Sequence, residues 1–400
     1  MKRASTTLAL TVVAALGLSA CTGTEPQPTP TPTVTVAPSG DGVLRIGTAF
    51  NLKKSSKASG AAQVAGVELA VRDINLAGGV NGAPVEVFHR DGADAASFPA
   101  LVEKGVDVVI GASSAARADE FAPLATEAGI PVISAAAAFS EPTPFTFSTA
   151  PSRAGIIMGI VDGLVAADIA NVAIVRFDGD AYASLEYDLN AALRDADITS
   201  GAVHPFGADG ADAELVVLEV TKLKPGAVIF AGPANSESSA IIAALNEAGH
   251  GGAQLWFAGE AVRQWKKPVA AGSLEGAHGV TRGSSTDVAF ASLLKQTDPS
   301  LSSTEFAAEA YDATVLAALA ATLAGDDGGP SIAHNLRAAS AGGIQCSSFA
   351  ECLDVLATES DIDYVGRSGP TDFDDDGNGG ALSYVSYVFS EANKPTLVAK

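Results

Sequence analysis

Basic residues, histidines and cysteines are all scarce in this chain, and each scarcity excludes something. It has 24 Lys and Arg against 46 Asp and Glu, a formal charge of −22. So acidic a body argues against a nucleic-acid partner and against direct docking on anionic lipid. The five histidines, His89, His204, His250, His278 and His334, are scattered, mostly beside expected turns. No His-Glu-x-x-His, Gly-x-Ser-x-Gly elbow or phosphate-cradling glycine loop accompanies them, so the sequence does not read as an enzyme. Trp256 and Trp265 are read as core or hinge packing. Beyond the N-terminus, no apolar run is expected to reach the roughly twenty residues that span a bilayer.

The N-terminus has three blocks in order. Lys2 and Arg3 are basic, Leu8 to Leu18 is almost wholly apolar, and Leu18-Ser19-Ala20 sets small residues before Cys21. About eleven apolar residues are too few to cross a bilayer. The pattern reads as a signal peptide over residues 1–20. Leu-Ser-Ala-Cys looks like a bacterial lipobox, with Cys21 lipidated and anchoring the chain to the outer face of the cell membrane. Residues 21–42 then form a Pro/Thr-rich linker. Pro26, Pro28, Pro30 and Pro32 favour extended polyproline II at about 3.1 Å per residue, a reach on the order of 50 Å. Taking Lys2 and Arg3 from 24 basic residues leaves 22 against 46 acidic ones, a charge of −24.

About 360 residues follow, more than one core usually serves, so two lobes are expected. Cys346 and Cys352 stand six apart in a chain read as exported, where disulfides persist. A bridge between them is expected. The rival is a metal site, for which no histidine lies near enough to complete a zinc motif.

From Val43 the chain alternates strand and helix. Val43–Gly47 reads as a strand, and Val64, Val67, Val71 and Ile74 form a helical stripe ended by Gly78-Gly79. Val85, Val87 and Val106–Ile110 are strands, Ala115–Ala128 a helix stopped by Gly129, and Ile130–Ile133 the next strand. After Pro151 come a helix from Ala154, a strand at Val172–Arg176 and helices at Leu185–Arg194 and Ala213–Leu223. Val228–Phe230 and Leu255–Phe257 are strands around a helix at Ser238–Ala248. Such alternation builds parallel sheets covered on both faces, so the fold class is α/β with two similar parallel-sheet lobes. Helices at Val288–Gln296, Phe306–Leu323 and Ile332–Ala339 and a final hairpin complete those lobes.

Ligands of open α/β sheets sit beyond the carboxyl ends of the strands. Val109-Ile110-Gly111 runs into Ser113 and Ser114 at a helix start, where N–H groups and the helix dipole suit a carboxylate; the same serines could simply cap the helix. Ile133-Ser134 opens into Ala135–Ala138. On the second series, Asp178-Gly179-Asp180-Ala181-Tyr182 offers an aromatic ring and Phe257-Ala258-Gly259-Glu260 a carboxylate.

With these segments placed, the chain resembles type I periplasmic binding proteins of the leucine/isoleucine/valine-binding kind, the receptors of ABC importers. The resemblance rests on Gly66-Val67-Glu68-Leu69-Ala70, Asp73-Ile74-Asn75, Gly78-Gly79-Val80-Asn81-Gly82, Val109-Ile110-Gly111 and Pro131-Val132-Ile133-Ser134. It continues through Asp180-Ala181-Tyr182, Ala310-Tyr311-Asp312-Ala313, Gly369-Pro370, Phe373-Asp374 and Gly377. It implies two lobes, 43–148 with 283–365 and 149–282 with 366–400, joined by three hinge crossovers and closing on ligand. Its site falls on Ser113 and Ser114 for a carboxylate, Ala136 and Ala137 through backbone groups, Tyr182 as a lid and Glu260 for an ammonium. The resemblance implies a monomeric receptor of an amino acid-like molecule, with an ABC permease as membrane partner and no cofactor; a ligand sensor without transport is the alternative. Two positions depart from the family. Ala138 stands where a threonine often helps hold the ammonium, and Gly232-Pro233-Ala234-Asn235 runs where a tyrosine can approach the cleft.

Asp372, Asp374, Asp376 and Gly377 also fit the start of a calcium loop, but Ser383 stands where its bidentate glutamate belongs. The segment is read as a turn, and no metal is expected.

Overall fold

Short strands rich in Val, Ile and Ala, buried on both faces, assemble two mainly parallel sheets, as strands covered by helices on each side do. The structure, a computed structural model, describes residues 36–53, 57–92, 94–207, 212–283, 287–359, 361–379 and 382–398. The expected signal peptide, Cys21 and the linker as far as residue 35 lie outside the described residues.

In the first sheet, β1 (Arg45–Phe50), β2 (Glu86–Asp91), β3 (Val108–Gly111), β4 (Val132–Ser134) and β5 (Thr146–Ser148) run parallel in the order β2-β1-β3-β4-β5. α1 (Lys57–Leu76) covers one face, and α2 (Ser97–Val102) and α3 (Ala115–Ala128) cover the other, with Phe98 packed on Phe121. Gly129, at φ 65°, caps α3 in the left-handed conformation that glycine adopts without strain.

The second sheet follows α4 (Arg153–Ala166). Its strands are β6 (Asn171–Arg176), β7 (Thr199–Ala202), β8 (Ala227–Ala231), β9 (Leu255–Ala258) and β10 (His278–Arg282), interleaved with α5 (Asp180–Asp195), α6 (Ala213–Leu223) and α7 (Ser236–Glu247). These five strands are parallel, in the order β7-β6-β8-β9-β10. Trp256 and Trp265 are both buried among the apolar residues of this sheet.

After β10 the chain returns to the first sheet. α8 (Val288–Thr297), α9 (Ala307–Ala324) and α10 (Gly329–Ser340) join the core of α1, as do β11 (Ile344–Cys346), α11 (Phe349–Leu356) and β12 (Ile362–Gly366). β12 pairs antiparallel with β13 (Gly369–Pro370). Phe373 is still in that core, and the Ser148 carbonyl accepts the Gly379 N–H while the Ser148 N–H donates to the Gly377 carbonyl. Only then do β14 (Tyr384–Phe389) and β15 (Pro395–Leu397) cross to the second sheet, antiparallel beyond β10. The chain thus passes three times between the sheets.

One expectation is corrected here. The apolar stretch of α9 is long enough to cross a bilayer, contrary to the reading that no such run follows the N-terminus. Its composition has another cause: α1 and α10 pack along it and residues Ala307–Ala321 are buried throughout. Gly66 of α1 lies so close to the Ala307 carbonyl that a Cβ would come within 2.2 Å of it. Alanines and this glycine let the helix axes approach.

Three local arrangements bear on the sequence reading. Cys346 and Cys352 are disulfide-bonded, with Cα atoms 5.2 Å apart. In the aspartate-rich turn, the Asp374 carboxylate accepts from the N–H groups of Asp376 and Asn378. Arg337 donates to the carbonyls of Asp374 and Asp375, at 2.8 and 2.6 Å. Among the described residues, no cluster of three metal-ligating side chains occurs. At the end of the expected linker, Asp326 accepts from the N–H groups of Ser39 and Gly40, and Asp327 from those of Asp41 and Gly42. Four backbone donors are thus tied to the α9–α10 turn.

Candidate functional site

Each sheet has one place where neighbouring strands carry their connections to opposite faces, leaving a crevice beyond the strand ends. In the first sheet it falls between β1 and β3; in the second, between β6 and β8. The residues singled out from the sequence lie on loops at or beside these places.

On the first sheet, Ser113 is half-buried and its Oγ accepts the Asn51 N–H at 3.0 Å. The bond joins the loop after β3 to the loop after β1 and leaves the Ser113 hydroxyl hydrogen to donate elsewhere. Ser114 is exposed and caps α3, its Oγ accepting the Arg117 N–H at 3.4 Å. Capping and ligand binding are compatible here, because a cap uses one lone pair and a carboxylate would use the hydroxyl hydrogen.

The loop after β4 divides its backbone groups. Ala137 donates its N–H to Ser134 Oγ at 3.2 Å, and its carbonyl accepts from Ser148 Oγ at 3.1 Å. Both of its groups are committed within the first lobe. The Ala136 carbonyl instead faces the second sheet, accepting from Nη2 of Arg282 at 3.2 Å. Ala138 is exposed.

On the second sheet, Gly179 at φ 143° turns the chain into α5, setting Tyr182 in the helix's first turn. Its ring packs edge-on against Phe177, centroids 5.8 Å apart. Gly259, at φ 59°, turns the chain after β9 and presents Glu260. The Tyr182 hydroxyl donates to Oε1 of Glu260. Burial, and then this hydrogen bond, hold the phenol well above its ordinary pKa. It therefore stays protonated and remains a donor. Asn235 points its amide oxygen at the Ser238 N–H as the cap of α7.

The structure therefore brings Tyr182 to Glu260 and Ser113 to Asn51. Among the described residues, no hydrogen bond joins Ser113 or Ser114 to Tyr182 or Glu260. The bridge between strand-end loops of the two sheets runs from Arg282 to Ala136. Arg282 was missed because β10 was not recognised: His-Gly-Val-Thr-Arg has none of the apolar density of the other strands. A charged residue just before Gly283 was the available signal. Glu305, just before α9, and Glu309, in its first turn, act electrostatically on the same guanidinium.

Two open depressions lie elsewhere. A hollow of about 510 Å³, bounded by residues including Thr371, Asp372, Leu382 and Ser383, sits beside the last passage between sheets. A groove of about 630 Å³ follows the edge strand β7. Neither is lined by the strand-end residues. Converging strand ends, a helix N-terminus and cross-lobe polar contacts mark the crevice more specifically than volume does, since an open cleft encloses little.

A family model described as periplasmic binding protein matches residues 44–346. No curated protein sequence matches significantly. Among solved structures, the branched-chain amino acid transporter substrate binding protein LivJ from Streptococcus pneumoniae, in complex with isoleucine, is 22% identical with a TM-score of 0.59. The match covers 89% of this chain and 99% of that one. An ABC transporter substrate-binding protein from Desulfitobacterium hafniense, in complex with Leu, is 18% identical with a TM-score of 0.62, over 89% and 100% of the two chains. The leucine binding protein LivK from Thermotoga maritima is 16% identical, with a TM-score of 0.56 over 89% and 98%. At these identities the likeness is one of fold.

Proposed function

The chain belongs to the periplasmic binding protein family, and from that premise we propose that it is an extracytoplasmic substrate-binding lipoprotein of an ABC importer. Its ligand is an amino acid or amino acid-like molecule, bound in the cleft between the sheets. The lobes are residues 43–148 with 283–379, and 149–282 with 382–398. The last passage lies nearer residue 380 than 366, because Phe373 packs with the first lobe.

One observation carries the reading: a carboxylate held by a phenol, Glu260 with Tyr182, stands at the strand ends of one lobe, while the other lobe offers the N-terminus of α3. Opposite charges on opposite lobes complement a zwitterion. The ligand carboxylate is taken by the N–H groups and hydroxyls at Ser113 and Ser114. The ammonium is taken by Glu260 and the Ala136 carbonyl, displacing the Tyr182 and Arg282 donors that meet them in this structure. Ala137 shapes the wall, and Tyr182 closes over the ligand. Because each lobe holds one end, binding energy favours the closed arrangement, which the permease recognises. Cys21 carries the lipid, and residues 22–38 tether the body.

Thermal denaturation of the full chain with L-amino acids, amides and small carboxylates tests the reading. A ligand at a hundredfold excess over its Kd adds about 2.7 kcal/mol of stability. The reading fails if no α-amino acid raises the melting temperature.

A further inference from the structure

The cleft holds a cation that the zwitterion scheme does not use. Arg282 ends β10 and stands two residues beyond the Val280–Ala258 pairing of β10 with β9, after β9 has turned away at Gly259. Its guanidinium, with five N–H donors, makes one hydrogen bond among the described residues, to the neutral carbonyl of Ala136. Its side chain is solvent-accessible, yet surrounding protein desolvates its charge. Its hydrogen bond to the loop after β4 sets it at the strand ends between the two lobes. Glu305 and Glu309 both act electrostatically on the same guanidinium.

Closure on an apolar side chain would strip water from this guanidinium and leave donors without acceptors, which is costly for a charged group. Closure on a carboxylate would supply two acceptors in the planar geometry that arginine matches. Building on the amino-acid reading above, we propose that Arg282 binds a second carboxylate on the ligand, making the cleft a receptor for small α-amino acids with acidic side chains. The three charges of such a ligand then each meet a complement: the α3 N-terminus for the α-carboxylate, Glu260 for the ammonium and Arg282 for the side chain. When the guanidinium swings to the ligand it releases the Ala136 carbonyl, which becomes an acceptor for the ammonium.

The test is isothermal titration of the full chain with L-aspartate, L-glutamate, L-glutamine and L-leucine, using the wild type, Arg282→Gln and Arg282→Lys. The wild type should bind an acidic amino acid at least on the order of tenfold more tightly than glutamine or leucine. Arg282→Gln should lose on the order of tenfold or more for the acidic ligand and much less for glutamine. Arg282→Lys should fall between. A melting curve without ligand shows that each variant is folded; if Arg282→Gln is not, Arg282→Lys decides by the same glutamate–glutamine comparison. Wild-type preference for leucine or glutamine overturns the acidic specificity while leaving the amino-acid reading standing. Equal losses for glutamate and glutamine overturn it too, reducing Arg282 to a latch between lobes. Failure of all four overturns the acidic specificity, while the amino-acid reading falls only if no α-amino acid raises the melting temperature.

Discussion

The hydroxyl of Tyr182 donates to the carboxylate of Glu260, tying the loop after β6 to the loop after β9 across the intervening β8. Glu260 is exposed, on a short turn after Gly259, and among the described residues it makes no other hydrogen bond. Glu260→Gln should therefore leave the melting temperature of the empty protein nearly unchanged. It should weaken an α-amino acid ligand by about 10- to 100-fold, as expected for a hydrogen bond to a charged group. Titration calorimetry checks this, and unchanged affinity would remove Glu260 from the site.

Asp107 predicts a pH dependence. Its carboxylate accepts the Arg45 N–H at 2.8 Å, but burial, helped by Asp327 and Asp41, pushes its pKa up from 3.8 to about 7, against the opposing pull of Arg45. Between those values the folded chain holds a proton that the unfolded chain has released. Stability from this group is full below about pH 4, declines as pH rises towards about 7 and then levels off. Asp107→Asn keeps an acceptor for Arg45 and removes the titration. The melting temperature of the variant, relative to wild type, should rise across that window, measured by a pH series of thermal scans.

Asp312 is buried and accepts from Tyr364 Oη at 2.8 Å, Arg367 N at 2.8 Å, Ser368 N at 2.6 Å and Ser368 Oγ at 2.5 Å. It pins the β12–β13 turn on α9. Asp312→Ala would strand buried donors and should cost at least about 3 kcal/mol. Asp312→Asn, which keeps an acceptor, should cost less. Urea denaturation with both variants measures the difference.

Lipidation at Cys21 makes the simplest cellular prediction. Cys21→Ala should abolish fatty-acid labelling and release the body from membranes. Its ligand affinity should match wild type, because Cys21 lies beyond the segment that Asp326 and Asp327 tie to the body. Membrane retention of the variant, read by fractionation, would count against the anchor.

Much of the fold was legible because burial imposes composition. β3 and β4 are runs of Val and Ile, α1 carries its stripe, and Gly129 stops α3. β5, β7 and β10 were not read: Thr-Phe-Ser, Thr-Ser-Gly-Ala and His-Gly-Val-Thr-Arg are too short or too polar to announce strands, and pairing with neighbours supplies what they lack locally. α9 was read as a helix, but its burial could not be seen, since that depends on α1 and α10 arriving from distant sequence. At the proposed site, Ser113, Ser114, Tyr182 and Glu260 were chosen from strand ends and helix starts. Arg282 did not, because nothing local distinguishes a solvated arginine from one facing another lobe.

The sequence by itself determined the alternation of strand and helix and the cysteine pair, since each is written in neighbouring residues, and it alone carries the proposed N-terminal address. Only the tertiary structure decided that Ala137 spends both backbone groups inside its lobe, that Ala136 meets Arg282, and that Tyr182 holds Glu260. Those pairings join residues far apart in the chain, and their geometry is set by how the two sheets are held by three passages of the backbone.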